Sequence, residues 1–291
     1  MHRVCQPAML LSIILAPRNG NQNHAEMRTT TILAYIAAIL VQVSFPLALT
    51  LYFRNHSRAR WKVFGYGLIV FAVSQIFTWL PINFFLDGVV GNQITSHIGA
   101  FFWLVVMALA TSLWTEGARW LGYKYLFPRN KLGLTWENGV MYGLGYASME
   151  SMLLFAGITL IYFIVYLVHG LISQGMLIQS LDPSQVALFN ENMVEIMNTS
   201  WARPAVVALE RVLMVGHQLA WSLLVMMSHI AHRKRWFVFA VIYHLVIAVA
   251  VPGLARLYGF VVAETVNFLF AVVSVFLVIR LRSLLEEELL Y

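Results

Sequence analysis

Four ionisable side chains, Glu116, Glu150, His217 and His244, stand in stretches otherwise rich in Leu, Val, Ile, Phe, Ala and Gly. On insertion scales a charged group at membrane depth costs about 2.5 to 3.5 kcal/mol, so each of them needs a partner or a function. Two carboxylates and two imidazoles can hydrolyse a bond in either of two ways. A glutamate can act as general base on a water while histidines orient that water or stabilise the oxyanion. Alternatively, His217, His244 and Glu150 bind Zn2+, leaving an open position for a water that the metal acidifies. The first route needs no cofactor and the second needs zinc; the residue types alone leave both open. Arg119, Glu210, Arg211 and Glu264 are the further charged groups able to support either arrangement.

The elements that must position these residues follow from composition. Of 291 residues, 60% are hydrophobic and 11% charged, the latter less than half of the roughly 25% found in soluble domains. An ordinary soluble enzyme is therefore excluded. With a mean hydropathy of +0.75 and long apolar runs in place of alternating strands, the chain reads as an all-α, polytopic membrane bundle of about seven transmembrane helices. The expected spans are 31–53, 62–82, 98–121, 138–168, 204–231, 236–255 and 259–280. A single transmembrane domain is expected over 27–291. Residues 1–26 read as an N-terminal extension or signal-like segment, with Met27 the expected functional start. The longest connection, His169 to Pro204, is expected to carry a short amphipathic helix around 184–197 that could serve as a lid or substrate platform.

The net charge of +6 does not indicate a nucleic-acid partner, because the basic residues fall in short clusters between apolar runs. Arg54, Arg58, Arg60 and Lys62 follow the first span. Lys124, Arg129 and Lys131 follow the third, Arg233, Lys234 and Arg235 the fifth, and Arg280 and Arg282 the seventh. These alternate ends are expected on the cytoplasmic side, which places the N-terminus outside and the C-terminus inside. The single cysteine, Cys5, excludes an internal disulfide and a cysteine-based zinc site.

Counted at about 1.5 Å per residue from each span's midpoint, Glu116, Glu150, His217 and His244 fall within a slice of about 10 to 12 Å. Glu210, Arg211 and Glu264 fall in a second layer nearer the outer side, where a Glu/Arg pairing can satisfy charge. Gly139, Gly143 and Ala147 recur every four residues ahead of Glu150, a spacing that lets another helix approach closely.

Several protease signatures are missing. There is no His-Glu-x-x-His, no Gly-x-Ser-Gly, and the only aspartates, Asp87 and Asp182, read as loop residues rather than a membrane dyad. What remains resembles the YhfC family of intramembrane peptidases, relatives of the CAAX-processing and bacteriocin-processing (CPBP) and PrsW-type membrane proteases. The resemblance spans most of Met27 to Arg282. It rests on Phe71-Ala-Val-Ser-Gln75, Glu116-Gly-Ala-Arg119, Gly143-Leu-Gly145 leading to Glu150, Glu210-Arg211 with His217, and Tyr243-His244. It implies Glu116 as water activator with Arg119 as its partner, and His217 and His244 as the later polar positions. Thr115 stands where the wider superfamily has a second glutamate, and Ala248 where it has Asn or Asp after the histidine. The oxyanion role is thereby open to Glu150 or Glu264.

The resemblance implies an intramembrane endopeptidase of glutamic or metal-dependent type in a bacterial cytoplasmic membrane. Its partners would be membrane lipid and a membrane-embedded or membrane-adjacent peptide. Two other readings keep the same residues: a transporter or signalling protein with a proton or cation path through Glu116, Glu150 and the histidines, and a haem protein ligated by His217 and His244.

Overall fold

A computed structural model describes residues 29–173 and 200–288. The N-terminal extension expected at 1–26, and the amphipathic helix expected around 184–197, lie outside the described residues. Seven helices are long and apolar enough to cross a membrane: α1 Thr29–His56, α2 Trp61–Gln93, α3 His97–Arg129, α4 Trp136–Val168, α5 Ala202–Ile230, α6 Arg235–Tyr258 and α7 Phe260–Leu285. No strand occurs among the described residues. The chain is thus an integral, multi-pass membrane protein with the expected seven spans.

Two spans run further than hydropathy suggests. α2 passes through a π-helical stretch, Ala72–Trp79, before resuming as α-helix over Leu80–Val89. α3 continues through a second, Gly122–Leu126, to Arg129. Polar residues such as Asn83, Asp87 and Lys124, which lower the apolar signal at these ends, are thus carried on helix. A third π-helical stretch, Glu150–Phe155, interrupts α4. Such widened turns are concentrated at functional sites.

α5 is the central shaft. Its most apolar window is 72% buried, against 22 to 28% for every other span, and it packs on α1, α3, α4, α6 and α7. The first half of α4, from Asn138 to Ser148, is likewise buried. Small residues make this possible on two sides. A Cβ on Gly139 or Gly143 would press on Leu223, Met226, Leu219 and Ser222 of α5, whereas one on Gly145 would overlap the Phe64 carbonyl oxygen of α2. The remaining helices turn large apolar side chains outward, Phe77, Phe85, Ile161, Leu257 and Phe276 among them. In a soluble protein that surface would be an aggregation hazard; in a bilayer it faces lipid.

The ends that carry the basic clusters gather together. The Trp136 indole N–H donates to the Val278 carbonyl at 2.9 Å, Phe53 meets the Trp136 ring edge-on, and the Arg282 guanidinium lies over that ring at 5.1 Å. Trp120 stacks on His229 at 5.1 Å.

Candidate active site

The site is assembled on α5 from facing helices. On α3, Glu116 and Arg119 are three residues apart and so share a face. Arg119 Nη1 donates to both carboxylate oxygens of Glu116, each at 2.8 Å, with both side chains fully buried. The guanidinium lies 4.0 Å over the Tyr146 ring and 5.7 Å from that of Trp221. From α6, His244 places Nδ1 2.8 Å from Glu116 Oε1. Its imidazole stacks on Trp221 at 4.0 Å and 14°. A carboxylate on Nδ1 fixes the neutral ring as the Nδ1–H tautomer, which leaves Nε2 as the acceptor.

Gln218 of α5 joins this group to a second one. Its Oε1 accepts from Arg119 Nη2, and its Nε2 donates to Glu150 Oε2 at 2.5 Å. Glu150 Oε1 lies 3.6 Å from Arg211 Nη1, and Arg211 Nη2 lies 3.9 Å from Glu210 Oε2. The two layers expected from residue counting are therefore one continuous chain of charged and polar groups: His244, Glu116, Arg119, Gln218, Glu150, Arg211, Glu210. Axial counting places Cα atoms only and neglects how far Gln and Arg side chains reach.

His217 stands apart from His244 in its bonding. Its Nδ1 is 2.7 Å from Ser274 Oγ and its Nε2 is 3.2 Å from Asn267 Oδ1. Asn267 Nδ2 donates to Glu264 Oε2 at 3.2 Å, so Asn267 Oδ1 is the acceptor for the histidine Nε2–H and Ser274 donates to Nδ1. Tyr243 is 2.8 Å from the same Ser274 oxygen.

A cavity of about 190 Å³ opens beside the chain, walled mainly by apolar side chains including Phe71, Trp79, Leu154, Phe155, Met214 and Val251. Its polar wall includes His244, Gln218, Glu150, Arg211, Glu210, Asn267, Gln75 and Thr115. Glu116 and Arg119 do not line it; they lie in the packed interior, with His244 on the wall. Two of the π-helical stretches, 72–79 and 150–155, contribute residues to this wall.

Of the residues singled out from the sequence, Glu116, Arg119, Glu150, His244, Glu210 and Arg211 come together in the one network, while His217 and Glu264 meet through Asn267 alongside it. Gln218 and Trp221 escaped that reading, because it weighed ionisable groups at membrane depth. Gln218, the residue after His217, is a polar side chain in an apolar span, and that was the available signal.

Seven spans enclosing a buried Glu–Arg–His cluster beside a cavity define a polytopic membrane protein with ionisable groups held within the helical bundle. The chain matches the family model described as YhfC intramembrane metalloprotease over residues 37–273, and it belongs to that family. No curated protein and no solved structure matches it.

The family description implies a metal, and the donors can be tested against one. His217 has both ring nitrogens engaged, and His244 has Nδ1 on a carboxylate. Glu116 and Glu150 face the guanidinium groups of Arg119 and Arg211, positive charges that oppose a divalent cation. Among the described residues no group of three His, Cys, Asp or Glu is arranged to hold a metal. As they stand, His217, His244 and Glu150 do not converge on a point, and the donor set does not fit a three-ligand zinc site.

Proposed function

We propose that this protein is an intramembrane endopeptidase that hydrolyses a peptide bond with an activated water and no covalent intermediate. The observation that carries the reading is the His244–Glu116 contact at the cavity wall: an imidazole on the wall, backed by a sealed carboxylate. His244 Nε2 removes a proton from water as the water oxygen bonds to the scissile carbonyl carbon. The imidazolium then formed is balanced by Glu116, whose orientation Arg119 fixes. As the C–N bond of the tetrahedral intermediate breaks, the same proton passes from Nε2 to the leaving amine. In this mechanism Glu116, which the resemblance implies as water activator, acts one step back, as the partner that orients His244. Substrate is a membrane-embedded or membrane-adjacent segment, since the cavity lies among the spans.

The test is cleavage of a quenched-fluorescence library of transmembrane peptides by the protein in liposomes. Cleavage is expected to be lost in His244→Ala and to persist in the presence of 1,10-phenanthroline. Undiminished cleavage by His244→Ala would sink the assignment. Near-stoichiometric zinc on the wild type, lost in His244→Ala, would replace the metal-free mechanism with a metallopeptidase one.

A further inference from the structure

Pro46 of α1 and Pro252 of α6 both lie inside α-helix. Proline has no N–H, so each leaves the carbonyl four residues earlier without its helical donor. In α1 that carbonyl, of Gln42, is served from α4: the Ser151 hydroxyl donates to it at 2.7 Å. In α6 the freed carbonyl is that of Ala248, and no side chain or loop N–H among the described residues donates to it. The helix runs on to Tyr258, so the N–H groups of Val251 and Gly253 stay in their own helical bonds. Ala248 is half-buried and, with Pro252, lines the cavity, as do His244, Ile247 and Val251 on the same face of α6. A helical carbonyl points along the axis toward the residue one turn ahead, so the Ala248 oxygen lies between two residues of the cavity wall.

That oxygen needs a hydrogen-bond donor, because a carbonyl bonded to nothing inside a membrane is costly. A cation does not fit: one carbonyl is a single ligand, and the Arg211 guanidinium lines the same cavity. We propose that the Ala248 carbonyl, opened by Pro252, is a substrate-positioning group that accepts a backbone N–H of an extended peptide segment. The choice of a peptide rests on the peptidase reading. Ala248 follows His244 by one helical turn, about 6 Å along the axis, which extended chain covers in about two residues. The bound N–H is therefore close to the scissile bond, and the contact sets the segment's backbone against His244 Nε2. Inside an intact helix the N–H groups are engaged in their own ladder, so the site selects chain that has unwound.

The test measures binding separately from cleavage. A fluorescein-labelled Leu/Ala transmembrane peptide with a central Gly-Ala pair is titrated into the full-length His244→Ala protein in nanodiscs, which serves as parent. Adding Pro252→Ala restores an N–H to the Ala248 carbonyl and closes the site. Affinity is expected to fall about fivefold, with resistance to SDS unfolding kept or raised because the helix gains a bond. Affinity within twofold of the parent would overturn the proposal, as would a lack of saturable binding by the parent. An amide-to-ester scan of the peptide removes one N–H at a time. One ester near the Gly-Ala pair is expected to cost about fivefold against the parent, and less than twofold against Pro252→Ala, where that bond is already lost. Should Pro252→Ala not fold, the scan against the parent decides. A flat scan, with water serving the carbonyl, overturns the proposal, as does an ester cost that survives Pro252→Ala. If peptides bind in this Pro252-dependent way but the wild type cleaves none, the peptidase reading falls and the carbonyl site stands.

Discussion

Exchanging Glu116 for Gln separates what this carboxylate does for stability from what it does for chemistry. It accepts two hydrogen bonds from Arg119 and faces one imidazole nitrogen, all at 2.8 Å, with no exposure to solvent. Gln has the same shape but no charge, so Arg119 is left as an uncompensated buried cation. Breaking a buried pair from one side costs about 3 to 5 kcal/mol. The companion variant Glu116→Gln/Arg119→Met removes the stranded charge as well. It should recover most of that loss, since replacing both members of a buried pair is often close to neutral. Recovery is incomplete because Gln218 Oε1 loses its donor. Activity behaves differently. His244 lacks its carboxylate in both variants, and losing the carboxylate that orients a catalytic histidine costs up to about 10,000-fold in rate. The assays are SDS-titrated unfolding followed by circular dichroism, and cleavage of the peptide library. A double variant no more stable than Glu116→Gln, or one that cleaves at the wild-type rate, would refute the reasoning.

Gly145→Ala should destabilise the fold by about 3 kcal/mol, because its Cβ meets the backbone carbonyl of Phe64, which cannot move without separating α2 from α4. Gly139→Ala meets only the ends of Leu223 at 2.6 Å and Met226 at 2.7 Å and should cost about 1 kcal/mol; the reverse order in thermal unfolding would count against the packing described. Trp221→Leu removes the plate against which His244 stacks and should lower the cleavage rate about tenfold, while Trp221→Phe keeps an aromatic face and most of the rate. Equal rates for the two would show that the stacking is incidental.

The spans were legible because charge is scarce and apolar runs are long, a signal that needs no tertiary information. Their ends were less so. Nothing in the local sequence around Thr78 or Tyr123 announces a π-helical turn, and each such turn lets a helix continue into more polar sequence. The charged site residues stood out because a membrane penalises them. Gln218 carries no charge and so attracts a smaller penalty, yet it joins the two ion-pair groups. The pairing of Arg119 with Glu116 could be read from a three-residue spacing. The meeting of His244 with Glu116, 128 residues apart, could not, because it depends on which faces α3 and α6 present to each other.

The burial of α5 has a consequence for how the protein is made. Its mean hydropathy, 1.3 over the best window, is below the 1.8 to 2.3 of the other spans, because it carries Glu210, Arg211, His217 and Gln218 along its length. It is the span with the weakest claim on lipid as a solvent. Its partners are the charged groups of α3, α4 and α6 and the polar groups of α7, so its stable residence in the bilayer is a product of assembly. α3 and α4 precede it from the ribosome and supply Arg119 and Glu150 in time. The bundle closes only when α6 and α7, which follow, deliver His244, Asn267 and Ser274 to the helix already waiting for them.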